Sequence, residues 1–239
     1  MKLLVSPKNL KEAKICVSSK VDYIDCKNPK EGSLGANFPW IISAMKKLIP
    51  LQNNQLLSAT IGDFPHLPGS ASLAALGASV SGADIVKVGL KGPCTLEEAV
   101  ELMKSVVKAV RDFNRRIKIV AAGYADYERM ENAPSFLQIP TIVSKSGADI
   151  AMLDTFIKDG KGLFDFLGMS ELTDFIQKAK SYGIGTALAG SLKISDLKNI
   201  KKLSPDIIGI RSAVCEDFDR LKGEIKSDLI DKFRKELLN

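Results

Sequence analysis

The chain has 239 residues, 45% of them hydrophobic and 26% charged, with a formal net charge of +6. That length suits one large α/β unit, and that composition excludes a disordered chain. The opening run MKLLVSPKNLKEAK is too short in apolar residues for a secretory leader, and no window reaches the roughly 18 uncharged apolar residues that span a bilayer, so a cytoplasmic protein without a membrane partner is expected.

Apolar strand-like runs alternate with amphipathic segments along the whole chain. In order they are KLLV (2–5), a helix over 8–19, VDYIDC (21–26), a helix over 37–48, LLSATI (56–61), a helix over 70–81 and DIVKVGL (84–90). The next helix begins just after Cys94, where Thr95 and Glu98 have capping-box spacing, and Leu96, Val100, Met103 and Val107 mark its apolar side. IKIVAAG (117–123), a helix over 134–146, DIAMLDT (149–155), a helix over 170–182, IGTALAG (184–190), a helix over 193–203, DIIGIR (206–211) and a helix over 217–238 complete the series. Eight strands and eight helices predict an α/β fold, a single (β/α)8 TIM-barrel domain over 1–239. A doubly wound open sheet is the alternative, disfavoured because no G-x-G-x-x-G follows the first strand. The phrase SGADIVKVGL echoes in SGADIAMLDTF and, more weakly, in SPDIIGIR, with Gly82 and Gly147 placed to end a helix before each strand-opening Asp. No Pro-, Gly- or Ser-rich linker divides the chain, and the longest loops, 27–36, 62–69 and 156–169, all follow strands.

In such a barrel the reactive groups stand at the carboxyl ends of the strands. Asp25 and Lys27 end the second strand, Asp63 and His66 follow the third, and Lys87 lies inside the fourth between Val86 and Val88. Asp126 follows the fifth, Asp154 lies in the sixth with Lys158 beyond it, and Arg211 ends the eighth. Alternation turns Val86 and Val88 toward the helices and Lys87 into the barrel. A buried amine must pair with a carboxylate or lose its proton, and a second amine nearby favours the loss. Lys27 and Lys87 in one mouth, with Asp25 and Asp154 beside them, read as imine chemistry on a carbonyl; the competing reading is a salt-bridge network that only tightens the barrel.

An anion site is expected after strands seven and eight, at Gly190, Ser191, Arg211 and Ser212, with Arg211 contributing charge if it turns inward. His66, the only histidine, is assigned to a stiff loop, and Phe38 and Trp40 to packing at a helix start. Without a second histidine or clustered cysteines no metal site is expected, and Cys16, Cys26, Cys94 and Cys215 are read as reduced thiols. The positive charge is spread over helical faces beside glutamates and lacks interleaved aromatics, so a phosphorylated small molecule is a better partner than nucleic acid.

The runs YIDCKNPKEGSLGANFPW, GADIVKVGL, LDTFIKDGKGLFDFL and ALAGSL resemble the archaeal and methylotroph family of (5-formylfuran-3-yl)methyl phosphate synthases, also called 4-(hydroxymethyl)-2-furancarboxaldehyde-phosphate synthases. The resemblance implies a barrel that makes the furan of methanofuran from two molecules of glyceraldehyde 3-phosphate, with loss of phosphate and water and without a cofactor. It implies that Lys27 forms the Schiff base, that Lys87 moves protons, and that Asp25, Asp154 and Lys158 support them. A class I aldolase on another sugar phosphate and a non-catalytic barrel that binds a phosphorylated metabolite are the alternatives. Homo-oligomerisation stays open, because a helix face that packs on a partner has the same composition as one that packs on the barrel.

Overall fold

The computed structural model describes residues 1–220 and 222–238. Eight strands, β1 (Lys2–Val5), β2 (Tyr23–Cys26), β3 (Leu56–Asp63), β4 (Ile85–Gly89), β5 (Lys118–Tyr124), β6 (Ile150–Asp154), β7 (Gly185–Leu188) and β8 (Ile207–Ile210), pair in sequence order, all parallel. β1 also pairs with β8, which closes the barrel. The surrounding helices are α1 (Leu10–Ser18), α2 (Pro39–Leu48), α3 (Pro68–Val80), α4 (Leu96–Phe113), α5 (Gln138–Ser146), α6 (Leu163–Phe166), α7 (Met169–Ser181), α8 (Leu197–Leu203) and α9 (Ser227–Leu238). Among the described residues no helix is long and apolar enough to cross a membrane.

Strands enclosed on both faces must be apolar on both, which is why they stand out in the sequence as continuous apolar runs. Val86 and Val88 join the layer between barrel and helices, whereas Leu4, Ile85, Val120, Met152, Ala187 and Ile207 fill the interior. Lys87 borders that interior, on the side that alternation predicts.

The echoed Asp has a mechanical cause at the amino-terminal foot of the barrel. Asp22, Asp84, Asp149 and Asp206 each precede an even-numbered strand. Their carboxylates accept the backbone N–H of Leu3, Leu57, Ile119 and Thr186 in the preceding odd strand, at 2.9, 2.8, 2.8 and 2.8 Å. Their carbonyls accept the N–H of Leu56, Lys118, Gly185 and Lys2 in the following odd strand. Each Asp therefore ties together the feet of three strands. Asp22 in VDYIDC is a fourth copy of the scheme.

Thr95 caps α4 as expected, accepting from Glu98 N at 3.1 Å, but Glu98 reaches back to Cys94 N at 2.7 Å rather than to Thr95 N, so the box is not closed. Other expectations need correction. The helix expected over 217–238 begins only at Ser227, because Asp217 and Phe218 take left-handed backbone (φ 51° and 56°) and Cys215 pairs antiparallel with Ile225; Leu221, within that expected helix, lies outside the described residues. The helix expected over 134–146 begins at Gln138, and the one expected over 193–203 opens with a 3-10 turn, Ile194–Asp196. The loop expected over 156–169 contains α6. Phe38 and Trp40 do stand at the start of α2, but there they stack on each other at 4.7 Å rather than on the core and are 50% and 65% exposed.

Asp84 also holds Lys46 at 2.6 Å. Asp84→Ala should lower stability by about 1–3 kcal/mol, the worth of charge-assisted bonds at a partly exposed site, read as a lower urea midpoint with unchanged slope; an unmoved midpoint would remove the latch role.

Candidate active site

The carboxyl ends of β2, β4 and β6 bring five charged side chains into the mouth, and Ser6 follows β1 beside them. Asp25 and Lys87 are fully enclosed and pair at 2.6 Å between Oδ1 and Nζ. The other Asp25 oxygen accepts from Ser6 Oγ at 2.8 Å. Burial disfavours the charged form of Asp25, but the Lys87 and Lys27 ammonium groups and the bonds from Lys87 and Ser6 outweigh it and hold the carboxyl below its usual range. Across the mouth, Asp154 accepts from Lys158 Nζ at 2.8 Å and from Thr155 N at 2.7 Å. Burial again opposes its ionisation, and Lys158 and Lys27 reverse the balance, leaving Asp154 well below the carboxylate range.

Lys27 is the remaining amine. It lies one residue beyond β2 and is 7% exposed. Among the described residues its Nζ makes no hydrogen bond or ion pair, since the nearby carboxylates are engaged by Lys87 and Lys158. Burial pushes its pKa down to about 8; Asp154 and Asp25 resist this, while Lys87 and Lys158 add to it. The mouth thus holds three amines against two carboxylates, and Lys27 is the unpaired one.

The segment after β2 folds over one side of the mouth. Its 3-10 turn, Pro29–Glu31, leads to Ser33, whose hydroxyl donates to Thr155 O at 2.9 Å, and to Leu34, which is fully buried in a cluster with Tyr124 and partly buried Phe156. Tyr124 donates to Asp63 at 2.7 Å beneath this cover; burial pushes the pKa of both groups up. Asp126 accepts from Phe156 N and Ile157 N at 2.7 and 3.0 Å, which fixes the turn that carries Lys158 back to Asp154.

Space lies along β6, β7 and β8. A throat of about 30 Å3 runs past Ser6, Asp25, Lys27 and Asp154, and an outer chamber of about 570 Å3 is bordered by Lys193, Ser195, Ala213 and Phe218. Lys158, Ser191, Ser212 and Arg220 line both, so chamber and throat share a wall. The N–H groups of Ser191, Ser212 and Ala213 donate to no acceptor among the described residues. Gly190 has φ +104°, and a Cβ there would press on Thr155 at 3.0 Å, so only glycine permits this turn.

Arg211 borders the throat but does not turn into it as a free cation. Its guanidinium binds Glu12 at 2.8 Å, Ser6 O at 2.6 Å and Arg220 O at 2.9 Å, because a buried arginine needs a buried carboxylate and Glu12 of α1 supplies it. Beside Lys158, the cation that lines both spaces is Arg220, in the segment expected to be helical. His66 is remote from these groups in its bonding, with Nε2 3.1 Å from Glu101 of α4. Among the described residues no group of three or more His, Cys, Asp or Glu side chains could hold a metal ion. Cys16, Cys26 and Cys215 are buried free thiols, Cys94 an exposed one.

The protein-family profile described as 4-HFC-P synthase matches residues 3–234. The (5-formylfuran-3-yl)methyl phosphate synthase of Methanococcus aeolicus is 51% identical over 98% of this chain and 99% of its own length. The synthases of the same name from Methanocaldococcus jannaschii and Archaeoglobus fulgidus are each 50% identical, covering 98% and 97% of both chains. Among solved structures, 3-hexulose-6-phosphate synthase superposes with a TM-score of 0.67 at 17% identity, covering 99% of this chain and 100% of that one. KGPDC from Streptococcus mutans gives 0.65 at 14%, covering 99% and 97%. Those two likenesses show the shared barrel. Half-identical relatives matched end to end show more: the chain belongs to the (5-formylfuran-3-yl)methyl phosphate synthase family.

Proposed function

We propose that this enzyme condenses two molecules of glyceraldehyde 3-phosphate into (5-formylfuran-3-yl)methyl phosphate, with Lys27 as the imine-forming nucleophile. The name of the family supports the product, and the unpaired Lys27 amine carries the mechanism. In net balance, two three-carbon aldehydes lose one phosphate and two waters to give the furan. Neutral Lys27 attacks an aldehyde carbon, and loss of water leaves an iminium that draws electrons from the adjacent carbon. Loss of a proton there gives an enamine able to attack the second aldehyde. Lys87, held by Asp25, is the group we assign to proton transfer, while Asp154 holds Lys158 at 2.8 Å beside the throat. The free amides of Ser191, Ser212 and Ala213, together with Arg220, fit a phosphate between throat and chamber.

Borohydride added during turnover of glyceraldehyde 3-phosphate should place the mass of a reduced adduct on the peptide containing Lys27, and untrapped turnover should release inorganic phosphate with a new furan absorbance. Absence of the adduct would overturn the imine mechanism, and a product that retains both phosphates would overturn the substrate assignment.

The nucleophile is the neutral amine, so the rate should rise with pH until Lys27 is deprotonated. With a pKa of about 8, kcat/KM should climb roughly tenfold per pH unit below that value and level off above it; a flat profile between pH 6 and 8 would count against Lys27.

Lys87→Ala should lower kcat by at least about 100-fold. It should also cost about 3 kcal/mol of stability, because Asp25 is left buried without its partner. Adding Asp25→Asn should recover stability but not turnover, and near-normal turnover in either variant would remove Lys87 from proton transfer.

A further inference from the structure

We propose that Ser6 is a positioning residue for the Asp25–Lys87 pair, anchored from the helix layer by Arg211 and Glu12. This inference rests on the imine reading of Lys27 given above. Ser6 directly follows β1, opposite Asp25 in the register that pairs Val5 with Ile24. Its backbone is held on both sides: its N–H donates to Ile210 O at 3.2 Å and its carbonyl accepts from Arg211 Nη1 at 2.6 Å. Arg211 is fixed in turn by Glu12, which is completely buried and also accepts from Lys8 N at 2.7 Å. The only soft coordinate left to Ser6 is its hydroxyl rotor, and the hydroxyl donates to Asp25 Oδ2 at 2.8 Å.

The consequence for Asp25 is orientation. Its carboxylate stands between two amines, Lys87 at 2.6 Å and Lys27, which it attracts without an ion pair. With one oxygen tethered to Ser6, the other is presented to Lys87. Freed of Ser6, the carboxylate can swing toward Lys27, hold that amine protonated and withdraw the nucleophile. Ser6 thereby decides which lysine is the ammonium and which is left to react. The chain of bonds runs from α1 through Glu12, Arg211 and Ser6 to Asp25 and Lys87, so a cation bordering the throat acts on the site through β1.

The test uses the full-length protein with glyceraldehyde 3-phosphate. Ser6→Ala should reduce kcat about ten- to a hundredfold with KM within about twofold, because the lost bond acts on the reacting groups rather than on substrate binding. The acidic limb of its kcat/KM profile, set by Lys27, should move to higher pH, since a carboxylate turned toward Lys27 holds that amine protonated more tightly. Ser6→Thr, which keeps the hydroxyl, should restore both rate and profile. Ser6→Cys, near in volume but only a weak donor, should follow the alanine variant, which guards against a packing effect. An alanine variant with wild-type kcat and profile would overturn the inference, as would a folded threonine variant that stays impaired. Borohydride labelling of the wild type separates the two readings: a labelled Lys27 with a normal Ser6→Ala enzyme sinks only the role of Ser6, whereas an unlabelled Lys27 sinks the imine reading on which it rests.

Discussion

A buried carboxylate and a buried amine 2.6 Å apart, Asp25 and Lys87, are the constraint on which the mouth of this barrel depends. Neither is tolerable alone in so dry a place, because the desolvation of a single unpaired ion outweighs most of what a strand contributes by packing. Together they consume one carboxylate, Lys158 consumes the other, and Lys27 is left over. The unpaired state of Lys27 is therefore a property of the whole set, produced by the pairing of its neighbours with Asp25 and Asp154.

The two ends of the barrel obey different rules. At the foot, four aspartates in equivalent places repeat one bonding scheme, and the fold gains regular strand spacing from it. At the mouth the repetition ends: β2 and β6 deliver acids, β4 an amine, and the segments after β7 and β8 deliver unpaired amides. Scaffold and chemistry are thus separated along the barrel axis, which lets the upper loops diverge without disturbing the lower register.

Much of this was legible in the chain. Strand positions could be read because a parallel barrel demands apolar runs, and the inward turn of Lys87 followed from Val86 and Val88 on either side. Arg211 shows where such reading stops. Its strand-end position was plain, but its partner Glu12 is 199 residues distant in sequence, so its diversion to α1 had no local sign. Arg220 was hidden for a different reason. The left-handed backbone at Asp217 and Phe218 falls on residues that carry no glycine signal, and the charged, leucine-containing run around them has the composition of a helix. Ser6 gave no signal at all, since a serine at a strand end is ordinary until its hydroxyl is seen on Asp25.

The foot latches also say how the molecule would divide. A cut between α4 and β5 leaves Asp22 serving β1 and β3 in one half, and Asp149 serving β5 and β7 in the other. Asp84 reaches across the seam to Lys118, and Asp206 reaches back across the other seam to Lys2. Two separately made fragments would carry matched couplings on both edges, with Lys27 on one piece and Arg220 on the other, so that reunion of the pieces and rebuilding of the space those two residues line become a single event.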